Sequence, residues 1–174
     1  MNISTSALQE KNAKHLIQSF SDLSYIKNPE STHIISRADG VYIYDNDGKK
    51  ILDSMSGLWC VNMGYGQQSI IEAVNEQMKE LVYYNNFFGS SHPSAIKLSE
   101  MIANKTPEGM NKVYFCGSGS EANDTVVRLA RHYWAAKGKP SKSVIISRTN
   151  AYHGSTMAGA SLGGMSAMHA QGGL

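Results

Sequence analysis

Apolar residues recur at helical spacing in four stretches of this chain, and a fifth is rich in β-branched and aromatic residues. Leu8, Leu16, Ile17 and Phe20 share one face over 6–20, with Glu10, Lys11 and Lys14 on the polar side, which predicts a short amphipathic helix. Ile70, Ile71, Val74, Met78 and Leu81 predict a second helix over 68–81. Ile96, Leu98, Met101 and Ile102 predict a third, with Pro93 suited to its first turn. Ala122, Val126, Leu129, Ala130 and Tyr133 form the inward face of a fourth over 120–136. Segments 32–36, 41–44 and 50–53 are short and rich in β-branched or aromatic residues, separated by Asp39-Gly40 and Asn46-Asp47-Gly48. Asp-Gly supplies the positive φ of a tight hairpin, so these segments predict a small antiparallel meander.

Segments 113–116 and 143–147 read as apolar strands, and the chain from Ala158 onward is small and glycine-rich, its QGGL tail closed by no helix or strand. From Gln68 on, the order helix, helix, strand, helix, strand is an α/β layer pattern with mostly parallel strands. Two irregular aromatic segments, SMSGLWCVNMGYG over 54–66 and YYNNFFGSSH over 83–92, interrupt the regular elements. Long irregular segments within compact domains are often functional.

Charge narrows the partners. Sixteen Lys and Arg against fourteen Asp and Glu give a net charge of +2, with no basic run, which argues against nucleic acid and membrane surfaces. The N-terminal residues lack the apolar core of a signal peptide, and no apolar run approaches the roughly 20 residues of a membrane span, so a cytoplasmic protein is expected. Cys60 and Cys116 have no metal-ligand spacing and are expected to be buried reduced thiols, and no metal site is expected.

The segment Cys116 to Asp124, CGSGSEAND, sits where a strand hands over to a helix. Glycines let the backbone turn sharply and approach a ligand, and the free N–H groups of a first helical turn suit a phosphate. Ser118 and Glu121 have capping-box spacing. The turn alone fits an ordinary capped helix as well as a phosphate cradle. Gly117-x-Gly119-x-x-Ala122 also matches a dinucleotide-binding pattern, but that pattern wants an acid about 20 residues on, at the end of the next strand. Here SVIIS runs into Arg148-Thr149-Asn150, which leaves only an NADP variant in which Arg148 meets a 2′-phosphate. Ala151 to Thr156, AYHGST, follows that strand. Ligands in open parallel sheets bind beyond the carboxyl ends of strands, where Tyr152 or His153 would stack on a ring whose phosphate the glycine turn holds.

GSGSEANDTVVRLAR, then SVIIS, then AYHG resemble the fold-type I pyridoxal-phosphate enzymes, and within them the class III aminotransferases. GVYIYDNDGKKILDSMSGLWCVNMGYG and YYNNFF followed by HP agree in order, and SGLWCVNMGYG looks most like the ω-amino acid–pyruvate subgroup. The resemblance implies pyridoxal 5′-phosphate as cofactor and amino transfer from an amine or ω-amino acid to a keto acid such as pyruvate. It implies that Ser118, Gly119 and Ser120 bind the phosphate, that Tyr152 stacks on the pyridine, and that His153 and Gly154 shape its surroundings. Trp59 would line the substrate pocket, with Phe87 and Phe88 near a pocket of the neighbouring subunit in a homodimer or higher homo-oligomer. Residues 1–58 would be the N-terminal part of a small domain and 59–174 the first part of the large, cofactor-binding domain.

The family's Schiff-base lysine, its pyridine-nitrogen acid and its carboxylate-binding arginine match no position here. Lys112, Lys137, Lys139 and Lys142 flank strands or end a helix, and Asp124 matches no position of the acid. The expectation is therefore an N-terminal piece of such an enzyme, with no catalytic lysine of its own and not a competent transaminase by itself. Two alternatives remain at this point: a piece of an NADP-binding oxidoreductase, and a non-catalytic dimerisation partner.

Overall fold

The computed structural model describes residues 3–171. The chain forms two compact units, Met1–Asn85 and Asn86–Leu174.

In the first unit, α1 (Thr5–His15) starts at Ser4, whose hydroxyl accepts a hydrogen bond from Ala7 N. It stops well before Phe20. Leu16 is already extended and Phe20 has a φ of 53°, so Leu16, Ile17 and Phe20 lie past the helix and exposed. The helix docks by polar contacts instead. Gln9 Nε2 donates to Thr32 O and Asn12 Nδ2 to Thr32 Oγ1, and Thr32 is buried. Next, α2 (Leu23–Ile26) is capped by Asp22, which accepts from both Ser24 N and Ser24 Oγ. The hydroxyl bond above all holds the Asp22 carboxyl below its ordinary value.

The meander forms as the turn residues predict. β1 (Ile35–Asp39), β2 (Tyr42–Asp45) and β3 (Lys50–Leu52) make an antiparallel sheet in that order. Gly40 and Gly48 take positive φ at the two turns. The first strand begins at Ile35 because Thr32 ends a short 3-10 turn, Pro29–Ser31, and donates its N–H back to Pro29. Cations stack on rings across the strands. Arg37 lies 3.6 Å from the ring centre of Tyr44, its register partner, and Lys50, which pairs with Tyr44, lies diagonally 3.8 Å from the ring centre of Tyr42.

Beyond the sheet, α3 (Ser56–Trp59) turns with the opposite hand to an ordinary helix: φ is 48°, 57°, 64° and 63° along its four residues. Then α4 (Gln68–Glu80) carries the expected apolar stripe, Ile70, Ile71, Val74 and Met78, and all of it is exposed.

The second unit is helical among its described residues. α5 (Pro93–Ala103) has Pro93 in its first turn and His92 as its cap. α6 (Gly119–Ala136) follows the glycine turn. In the small, glycine-rich stretch from Ala158 on, α7 (Met157–Leu162) and α8 (Ser166–His169) form, while the last three residues of QGGL lie outside the described residues. Thr156 caps α7.

The expected strands 113–116 and 143–147 do not form among the described residues, and no parallel pairing is present there. A strand exists only as a pairing of backbone groups with a neighbour, and neither segment has one. Arg131 Nε donates to Ser143 O, which fastens the second segment to α6 instead. The predicted inward face of α6 changes for the same reason. Val126, Leu129 and Tyr133 are exposed with no sheet over them, and Val127 is the buried residue of that helix.

Candidate cofactor site

The glycine turn is held by its own helix start. Ser118, extended at φ −158°, caps α6 by accepting a hydrogen bond from Glu121 N at 3.2 Å. Glu121 folds back and accepts from Gly117 N at 2.7 Å, one residue further back than in a standard capping box. A side chain on Gly117 would collide with that carboxylate, since its β-carbon would lie 2.9 Å from Oε2. The amides of Gly119 and Ser120 have no acceptor among the described residues, and a β-carbon on Gly119 would meet nothing within 4 Å. Two N–H groups without an acceptor among the described residues thus lie at the positive end of an 18-residue helix.

The AYHG segment closes one side of this space. Gly154 is buried at φ 119°, and a β-carbon on it would lie 2.7 Å from Ser120 Cα and 2.8 Å from Ser120 Cβ. Ser155 N donates to Ser120 Oγ at 3.1 Å. That bond uses a lone pair of the hydroxyl and leaves its proton for another acceptor. Asn123 Nδ2 donates to His153 O at 2.7 Å. Asp124 Oδ1 accepts from Thr156 Oγ1 at 2.7 Å and from Gly159 N at 3.1 Å. An open cleft of about 420 Å³ runs along α6 beside the turn, lined by Tyr114, Cys116, Glu121, Asp124, Thr125 and Arg128.

The structure therefore brings the first turn of α6, Ser118 to Ser120, against His153 and Gly154, through the Ser155–Ser120 and Asn123–His153 hydrogen bonds and the close approach of Gly154 to Ser120, with Tyr152 next in the chain and 54% exposed. The sequence motifs single out neither Asn123 nor Thr156 and give Asp124 no role. The available signal was polar side chains in the second turn of an otherwise apolar-faced helix and a capping-type threonine three residues before a glycine. Trp59 lies in the first unit, on the left-handed turn, and is 77% exposed. Phe87 and Phe88 lie in the second, ring centres 6.0 Å apart, with Phe88 fully exposed at φ 54°. Cys60 and Cys116 are free, as expected, but both are exposed: one follows the left-handed turn, the other an unpaired segment.

The arrangement can bind an anion with two backbone amides and one hydroxyl while a neighbouring aromatic side chain faces outward. The structural neighbours of the chain are fold-type I pyridoxal-phosphate transaminases. More narrowly, the aminotransferase class-III profile covers residues 25–173, and the chain belongs to that family, whose members depend on pyridoxal phosphate. A putrescine–pyruvate aminotransferase of Pseudomonas aeruginosa is 53% identical over 171 residues, which is 98% of this chain and 37% of the relative. A solved transaminase from the marine bacterium Virgibacillus superposes with a TM-score of 0.92 at 41% identity, over 96% of this chain and 38% of that one. The ω-transaminase of Pseudomonas jessenii in complex with PMP gives a TM-score of 0.90 at 38% identity, over 94% and 36%. The chain thus spans well under half the length of these relatives. Membership of this family displaces the dinucleotide reading of the glycine turn.

Proposed function

We propose that this chain carries the cofactor-phosphate portion of a transaminase that moves an amino group from an amine or ω-amino acid to a keto acid such as pyruvate. The observation that carries the reading is the join of Ser120 to Gly154 and Ser155 beneath two free amides. The 53% identity to a putrescine–pyruvate enzyme supports a linear diamine as donor.

The residues fit a phosphate ester. Gly119 N and Ser120 N would donate to its oxygens, and Ser120 Oγ would add its free proton. Ser118 would hold the helix start in place, since its oxygen already accepts from Glu121 N. Tyr152 would lay its ring on the pyridine, and Asn123, by gripping the carbonyl of His153, would hold Tyr152 and Gly154 at the height the phosphate sets. Trp59 would line the substrate pocket, and Phe87 and Phe88 would border the pocket of a neighbouring subunit in a homodimer. Bound pyridoxal phosphate supplies an electron-withdrawing ring and a carbonyl carbon for amino exchange.

The lysine that bonds the cofactor is assigned to no residue of this chain. Lys142 lies 4.0 Å from the Trp134 ring centre, with Lys139 over the same ring and Lys137 over Tyr133, all at the far end of α6 from the turn. In the complete fold, residues 1–58 would belong to the small domain and 59–174 to the large one, with 113–116 and 143–147 entering a mostly parallel sheet. Thermal unfolding with added ligands tests the reading. Pyridoxal phosphate should raise the melting temperature and NADP should not; stabilisation by NADP alone would overturn it.

A further inference from the structure

Three residues of α3 other than glycine, Ser56, Leu58 and Trp59, sit in the left-handed region, a conformation that L side chains resist. Such a turn persists only where its surroundings over-determine it. Here one carboxylate does most of the holding. Asp53 Oδ2 accepts from Gly57 N at 2.8 Å and from the Tyr65 hydroxyl at 2.8 Å, and Asp53 Oδ1 accepts from Met55 N at 3.2 Å. Within the turn, Trp59 N donates to Met55 O and Cys60 N to Ser56 O.

Tyr65 is itself anchored to the sheet. Its N–H donates to Gly40 O at 2.7 Å and its carbonyl accepts from Gly40 N at 3.2 Å, at the hairpin between β1 and β2. Gly64 permits this approach, because a β-carbon there would lie 2.9 Å from Gly40 O. Gly57 has no room either: its β-carbon would stand 2.9 Å from the Tyr65 hydroxyl oxygen and 2.9 Å from Val61 Cγ2. A continuous linkage therefore runs from the hairpin through Tyr65 and Asp53 to the turn, and Trp59 is the last residue of that turn.

We propose that Asp53 and Tyr65 are positioning residues that set the direction of Trp59 and, through it, the size of amine the substrate pocket accepts. This rests on the assignment of Trp59 to that pocket. Neither residue touches the reacting atoms. The bond between them is charge-assisted, since the Tyr65 hydroxyl holds the Asp53 carboxyl below its usual range and is itself pushed up by that carboxylate.

The test uses a Trp134→Phe background, which leaves Trp59 as the sole tryptophan. Fluorescence anisotropy of Trp59 is measured in the chain, and KM and kcat for putrescine and for an aromatic amine are measured in a longer, cofactor-loaded protein that joins this chain to a segment bearing the Schiff-base lysine. Tyr65→Phe should lower the anisotropy and change the ratio of the two kcat/KM values about fivefold, the size one lost hydrogen bond gives. The change should fall on KM, with kcat and cofactor affinity kept. Gly57→Ala, which pushes on the Tyr65 hydroxyl without deleting it, should move both readouts the same way. If Trp59→Phe shifts selectivity while Tyr65→Phe and Gly57→Ala shift neither readout, the positioning role is overturned and the pocket assignment stands. If Trp59→Phe leaves selectivity unchanged, the pocket assignment fails and takes the selectivity claim with it.

Discussion

Gly154 lies so close to Ser120 that a β-carbon on it would stand 2.7 Å from the serine's Cα, inside van der Waals contact with backbone. The neighbouring residue, Ser155, donates its N–H to the Ser120 hydroxyl. The two segments the sequence singles out, the glycine turn and AYHG, are thus one structure.

Gly154→Ala should separate them. Its φ of 119° is costly for any L side chain, by about 1–3 kcal/mol, and the new methyl also has no space. Affinity for pyridoxal phosphate, read by titration, should fall at least about tenfold, since each 1.4 kcal/mol is a factor of ten.

Asp124→Ala should destabilise the second unit by about 1–3 kcal/mol, because Thr156 Oγ1 and Gly159 N lose a shared, charged acceptor. Denaturant unfolding measures this. Thr156→Val should be non-additive with it, as partners in one network are.

Ser118→Ala should remove the cap of α6 and lower stability by about 0.5–2 kcal/mol, whereas Ser118→Asp should restore most of it. Comparison of the three proteins by thermal unfolding checks the sign and the rescue.

How much of this was legible without coordinates differs by element. The hairpins at Gly40 and Gly48 and the Ser118–Glu121 cap follow from local chemistry, and all three formed where the residues placed them. Segments 113–116 and 143–147 have strand composition, but pairing needs partners that composition cannot supply. The left-handed turn was invisible for a similar reason. Nothing in Ser-Gly-Leu-Trp announces it, and the Asp53–Tyr65 bond that holds it joins residues on opposite sides of the segment. α1 stops at His15 and docks on Thr32 through Gln9 and Asn12, neither of which the apolar spacing of Leu16, Ile17 and Phe20 reports.

Stability should depend on pH through Asp53 and Tyr65. Asp53 is held below its ordinary 3.8, chiefly by the Tyr65 hydroxyl, so its contribution is full above pH 3.8 and is lost as pH falls through the lower folded value. Tyr65 is raised above 10.0 by the same partner, so its contribution is full below pH 10.0 and is lost as pH rises through the higher folded value. Tyr65→Phe should flatten the alkaline limb of a stability–pH curve. Part of the acid limb should survive in that variant, because Asp22 is also held low, by Ser24.

The most direct measurement of the central claim is calorimetric titration of this chain with pyridoxal phosphate, followed by borohydride treatment. The account predicts saturable binding that Ser120→Ala and Gly154→Ala each weaken, with no cofactor left covalently attached to a single lysine. Equal binding by the chain and both variants would contradict the cradle, and stoichiometric attachment to one lysine would contradict the absence of the catalytic lysine from this chain.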